Sequence, residues 1–141
     1  MPHIVQNDDG SQGIRGSDND KGGMVVVNIE YVAASVDKVA FVATRAYVVH
    51  GIICRPTIAG TDAGAATAVI KKAASVVAIT AGVALHSSTA NLKGTADTNQ
   101  VLTLSTTATD IAIATGTCIG IDFTGVLTSA TGVVTITLAP A

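Results

Sequence analysis

Hydrophobic and polar residues alternate in short runs along most of this chain. The clearest run is 133–138, where Val134, Ile136 and Leu138 fall on one face and Val133, Thr135 and Thr137 on the other. A period of two is the signature of a half-buried strand. Residues 118–123 alternate in the same way, with Ile119, Ile121 and Phe123 opposed to Cys118, Gly120 and Asp122. Residues 100–105 set Leu102 and Leu104 against Thr103 and Ser105. Residues 45–55 form a long β-branched run, and the proline at position 56 predicts its end. Residues 24–32 predict the first strand of the ordered domain. Gly60-Thr-Asp-Ala-Gly64 within 57–66 reads as a turn, and the Gly/Ser/Thr-rich stretch 124–132 as a hairpin connection.

Two stretches are less direct. Residues 65–85 are Ala-rich, and Val69, Ala73, Val76 and Thr80 fall near helical spacing; two strands joined at 71–75 explain the text as well and suit their β surroundings. Residues 86–93 predict a short helical turn capped by Ser87 or Ser88. Short strands at intervals of about 8–12 residues, without long intervening helices, predict an all-β fold: an antiparallel, jelly-roll-like sandwich over residues 24–141. Residues 1–23 are rich in Asp, Asn, Ser and Gly and predict a flexible polar N-terminal arm. Such text buries too little apolar surface to offset its own ordering entropy.

Composition sharpens this reading. Val, Ile and Thr make up about a third of the 141 residues, which suits pleated surfaces. Charged residues are only 13% of the chain and the formal charge is -2, so nothing steers it toward nucleic acid. A surface of Thr, Ser, Ala and Gly is cheap to desolvate, which favours a protein packed against neighbours. Trp is absent and the aromatics are Tyr31, Phe41, Tyr47 and Phe123, so the core is thin and aliphatic. The N-terminus lacks the apolar stretch of a signal peptide, and the weakly polar run 73–85 is shorter than the ~20 residues a membrane helix needs. No membrane segment is expected.

Candidate chemistry is sparse. Glu30 is the one glutamate, so an acid pair would draw on Asp62, Asp97, Asp110 or Asp122. Three of these sit in turn-like text, where Asp ordinarily bonds backbone. Asp122 lies inside a predicted strand and is expected on its solvated or interface face. His3, His50 and His86 are far apart, and His50 reads as a strand histidine at an edge or interface. Cys54 and Cys118 read as two reduced, Val-sized side chains. Asp18-Asn-Asp20-Lys-Gly22 opens like a calcium loop but lacks the closing acid. Lys71-Lys72 reads as a solvated strand end or a contact to an acidic neighbour. No nucleophile elbow or phosphate-binding loop occurs. The expectation is no catalytic, cofactor-binding or metal-binding residue, no cofactor, and no enzymatic activity.

Three blocks of text carry a resemblance: 44–56 (TRAYVVHGIICRP) with 60–64 and 69–73, then 92–104 (LKGTADTNQVLTL), then 119–140 (IGIDFTGVLTSATGVVTITLAP). Their order resembles the decoration or cement proteins that stabilise tailed-bacteriophage heads from outside. The resemblance spans roughly residues 24–141 and rests on strands and turns, without a chemical signature. It implies a jelly-roll subunit that binds the capsid outer surface as a homodimer or homotrimer, bridges major capsid protein subunits, and is made in the host bacterial cytoplasm. Linked contacts of an oligomer gain ~10²–10⁴ in affinity over one contact. The arm, residues 1–23, would order on the shell, and its removal would weaken attachment. Two other classes compete: a virion-surface module recognising carbohydrate or a receptor, and a small trimeric β-fold hydrolase. Few aromatic rings weigh against the first, and one glutamate with scattered histidines against the second.

Overall fold

The structure, a computed structural model, describes residues 23–141. The predicted arm, 1–23, lies outside the described residues except for Gly23, as do His3 and the stretch 18–22. The described residues form ten strands: β1 (Val25–Tyr31), β2 (Lys38–Val42), β3 (Tyr47–Ile58), β4 (Thr67–Ala73), β5 (Val83–Ala84), β6 (Ala90–Asn91), β7 (Gln100–Val101), β8 (Ala112–Ile113), β9 (Cys118–Thr124) and β10 (Thr131–Pro140). Among the described residues, helix is confined to a 3-10 turn at Ile79–Ala81 and one α-turn at Ala108–Ile111.

All pairings are antiparallel, and they build two five-stranded sheets. The first has the order β1-β10-β3-β7, with β8 also on β3; the second has β2-β9-β4-β5, with β6 also on β4. One set of pairings is nested, since β1 takes β10, β2 takes β9, β3 takes β7 and β8, and β4 takes β5 and β6, while β10 and β9 also pair laterally with β3 and β4. The chain thus folds back on itself as one long ribbon while switching sheets. The fold is the predicted all-β sandwich.

The alternation places the core. Val27, Ile29 and Tyr31 of β1, Ile52 and Cys54 of β3, and Val134, Ile136 and Leu138 of β10 turn inward from the first sheet. They meet Ala68 and Ile70 of β4 and Ile119 and Ile121 of β9 in one cluster. Facing sheets stand about 10 Å apart, which aliphatic side chains of this size fill. Edge-to-face pairs of Tyr31 with Phe123 and of Phe41 with Tyr47 add the aromatic content.

Several local expectations are corrected. The third strand does not stop at Pro56 but continues to Ile58. A register shift beside Gly132 leaves Thr57 as the extra residue. The backbone polar groups of Pro56 face residues 97–102 rather than β10, so the β10 ladder does not require the N–H that proline lacks. The Pro56 carbonyl accepts from Asp97 N–H at 2.7 Å. A second shift leaves His50 unmatched, so Val49 and Ile52 both point inward. His50 is therefore exposed at a bulge in a central strand, not on an edge.

The stretch 124–132 is not a hairpin, because β9 and β10 belong to different sheets. Leu127 is buried and the Thr128 carbonyl accepts from Thr61 N–H at 2.9 Å, so the segment arches over the end of the sandwich. Residues 65–85 hold two strands, β4 and β5, rather than one helix, joined by residues 74–82 with their 3-10 turn. The turn, however, begins at Ala74, and Lys71 and Lys72 lie within β4. The helical turn at 86–93 does not form. Ser88 Oγ instead accepts from Thr103 N–H at 3.0 Å, and Ser87 Oγ donates to the Thr103 carbonyl at 3.4 Å. Residues 100–105 keep their alternation but leave the first sheet after Val101. Leu102 N–H still reaches the Ile52 carbonyl, and Ser105 N–H reaches the Leu85 carbonyl. One side of the sandwich is closed by this crossing segment.

Candidate interaction surfaces

The two sheets carry different outer faces. On the first, Asn28, Thr135, Ile53 and Val101 stand side by side across four strands. Val26, Thr137 and Gly51 form the row on one side, and Glu30, Val133 and Arg55 the row on the other. Val26, Ile53 and Val101 are 56%, 38% and 74% exposed. Thr135 Oγ1 donates to Asn28 Oδ1 at 2.7 Å, and Arg55 donates to Asn99 Oδ1 at 3.1 Å. Apart from Glu30 and Arg55, at opposite ends of one row, these rows are neutral. Low charge and β-branched side chains make this face flat and inexpensive to desolvate.

The outer face of the second sheet is covered by its own chain. Residues 74–82 fold back so that Ile79 is buried against Gly120 of β9. A Cβ at Gly120 would run into the Lys38 carbonyl and lie 2.8 Å from Ile79 Cγ1, so glycine is required by close approach. Lys71 Nζ holds Asp122 Oδ2 at 2.6 Å and the Thr80 carbonyl at 2.8 Å. This overturns the reading of Lys71 as a solvated strand end. Asp122 does lie on the outer face, paired within the chain. Lys72 Nζ reaches the carbonyls of Thr109 and Ala112. The fold-back presents Val76 fully exposed with φ of 65°, a strained conformation for a β-branched residue. Beside it runs an apolar groove of about 320 Å³ lined by Ala73, Val77, Val83 and Ala112.

The other sequence candidates are dispersed. Asp62 Oδ2 accepts from Gly64 N–H at 3.0 Å, as Asp in a turn does. Asp110 accepts from Ser105 Oγ at 2.6 Å, and Asp97 sits in a left-handed turn at φ of 60°. Cys54 is buried in the first sheet, Cys118 lies half-buried in the second, and both are free thiols. Burial pushes the Cys54 thiol up, and the neighbouring Tyr31 hydroxyl partly opposes the shift. The Tyr31 hydroxyl, also pushed up by burial, has no hydrogen-bond partner in reach and lies against Gly132. Among the described residues no three His, Cys, Asp or Glu side chains converge as metal ligands.

His86 is the buried polar side chain of this domain. Its Nε2 accepts from Ile70 N–H at 2.8 Å, and Nδ1–H donates to the Ser88 carbonyl. The imidazole thereby serves β4 in the gap between β5, which pairs at Lys71 and Lys72, and β6, which pairs at Thr67 and Ala68. Burial pushes its pKa below the ordinary value, partly offset by the Ser88 bond.

Two positions escaped the sequence reading. Asp37 Oδ1 accepts from Phe123 N–H at 2.6 Å. Gln100 clasps both backbone groups of Asn91, at 2.8 and 2.7 Å, tying the two sheets together. Neither has a local motif, because each partner is distant in sequence. No helix among the described residues is long and apolar enough to cross a membrane. No family model, curated protein or solved structure matches this chain.

Proposed function

We propose that this chain is a structural virion protein that binds the outside of a tailed-phage capsid as a homo-oligomer and bridges major capsid protein subunits. The observation that carries this reading, through its homo-oligomer, is the nearly neutral outer face of the first sheet, uncovered among the described residues. A row of Asn28, Thr135, Ile53 and Val101 crosses four strands without a charge. Such a face suits broad protein contact, where bulk apolarity is moderate and charge is depleted at the centre. The resemblance of residues 44–56, 60–64, 69–73, 92–104 and 119–140 to head-decoration proteins supports the same reading. The order β1-β10-β3-β7 facing β2-β9-β4-β5 supports a jelly-roll-like description of the sandwich.

In this role the protein works by adhesion and without catalysis. Each copy adds a modest contact, and an oligomer multiplies it by engaging several shell subunits at once. The carbohydrate-binding reading is weaker because the aromatic rings are engaged within the molecule. Tyr31 and Tyr47 are buried, and Phe41 and Phe123 pack against the core.

The test is cosedimentation of the purified protein with phage shells that lack it. Saturable binding, with shells that better resist heat or chelator, is the expected result. Absence of binding to any shell removes the capsid reading and turns attention to a glycan screen.

A further inference from the structure

We infer that the outer face of the first sheet is the self-association surface, and that two copies stack face to face about a two-fold axis running along β10. This rests on the oligomer in the reading above and specifies its interface. The argument begins with charge. Glu30, Val133 and Arg55 lie in one row across β1, β10 and β3, so opposite charges flank a neutral centre one strand to either side. A two-fold axis along β10 carries the β1 side of one copy over the β3 side of the other. Glu30 then faces Arg55 of the second copy, and Arg55 faces its Glu30, giving two ion pairs. A two-fold axis at right angles to the strands through the same row would set Glu30 on Glu30 and Arg55 on Arg55. Charge complementarity therefore selects the first arrangement.

The same axis places Thr135 on Thr135 and Val133 on Val133 at the centre, with Ile53 over Asn28. An isologous contact of this kind requires a self-complementary patch, and this face provides one. Sheets stack at about 10 Å, a span that Glu and Arg side chains bridge together. The size sets the strength. The axis along β10 overlaps three strands, β1, β10 and β3, because β7 of one copy projects past the β1 edge of the other. Three strands at about 4.8 Å and a ten-residue β10 at about 3.3 Å per residue give roughly 480 Å² per copy. The total of roughly 950 Å² falls among weak, transient interfaces, which suits a dimer that dissociates on dilution.

The experiment measures the solution mass of the full chain by sedimentation from micromolar to millimolar concentration. Wild type is expected as a dimer that dissociates on dilution. Glu30→Arg and Arg55→Glu, each alone, replace two attractions by two repulsions and should weaken the dimer about tenfold or more. The double variant, Glu30→Arg with Arg55→Glu, should restore it. Thr135→Arg sets two like charges across the axis and should give a monomer; Val101→Glu, at the rim of the face, should weaken the dimer less. All these positions are outward-facing, and circular dichroism checks that each variant is folded. A monomeric wild type, a dimer indifferent to Thr135→Arg, or a double variant as weak as the singles overturns the inference. Shell binding is read separately. A monomer that binds shells removes this interface and leaves the capsid reading, whereas a dimer that binds none does the reverse.

Discussion

The outer faces of the two sheets differ in how they meet their surroundings. The second sheet is roofed by residues 74–82, with Ile79 seated on Gly120 and the Lys71–Asp122 pair beside it. Among the described residues nothing folds over the outer face of the first sheet, although its outward side chains are rich in β-branched residues. The roofed face is finished by intramolecular contacts, while the bare face retains the low charge and flatness that another protein surface can cover.

The two glycines that point outward from central strands separate these faces most sharply. Gly120→Val should cost about 3 kcal/mol or prevent folding, because the new side chain must displace Ile79 and the Lys38 backbone. Gly51→Val meets nothing within 4 Å and should leave stability within about 0.5 kcal/mol of wild type. Thermal unfolding of both variants checks the pair of outcomes; equal losses would show that the first face is not open.

Acid should act on the second sheet first. His86 has its pKa lowered by folding, so the unfolded chain binds the proton more readily. Its contribution is fully present above the unfolded value of about 6.5 and is lost progressively as pH falls through the lower folded value. Protonation also sets an N–H on Nε2 against the Ile70 N–H, breaking the bond that fills the gap between β5 and β6. The groups packed around it do not offset this. Lys71 is committed to Asp122 and Lys72 to backbone carbonyls, while Asp110 holds Ser105. Amide exchange at Ile70 should accelerate on acidification before exchange at Val134 does. His86→Ala should cost about 2 kcal/mol at neutral pH by orphaning that N–H, and should flatten the pH profile below 6.5.

Smaller effects sharpen the same contrast. Asp122→Asn removes a half-buried ion pair from the roofed face and should cost about 1 kcal/mol in chemical denaturation. Arg55→Ala on the bare face loses only the Asn99 contact and should change monomer stability by less than about 0.5 kcal/mol. Val76→Gly should raise stability by about 0.5 kcal/mol, since glycine adopts the left-handed turn without strain and Val76 buries nothing.

Strand existence was legible where burial is one-sided. Val134, Ile136 and Leu138 alternate in the text and are fully buried in the fold, as are Ile119 and Ile121. Misreadings fell where long-range partners replaced local rules. Proline at 56 ends a strand only if its N–H is needed, and Pro56 turns its polar groups toward Asp97 and away from the β10 ladder. Ser87 and Ser88 look like helix caps, yet both bond to Thr103. The Gly/Ser/Thr run at 124–132 looks like a hairpin, yet Leu127 anchors it as an arch between sheets. The bare face was foreshadowed only by composition, because exposure of a strand face depends on what the rest of the chain places over it.

By itself the sequence determined the all-β class, the inward residues of the long strands and the low charge of the whole surface. These follow from a side-chain period of two and from β-branched content, both local properties. Only the tertiary structure decided which outward face is roofed, that His86 substitutes for a strand neighbour, and that Glu30 and Arg55 share one row. Each of these depends on register between segments far apart in sequence, which local propensity does not encode.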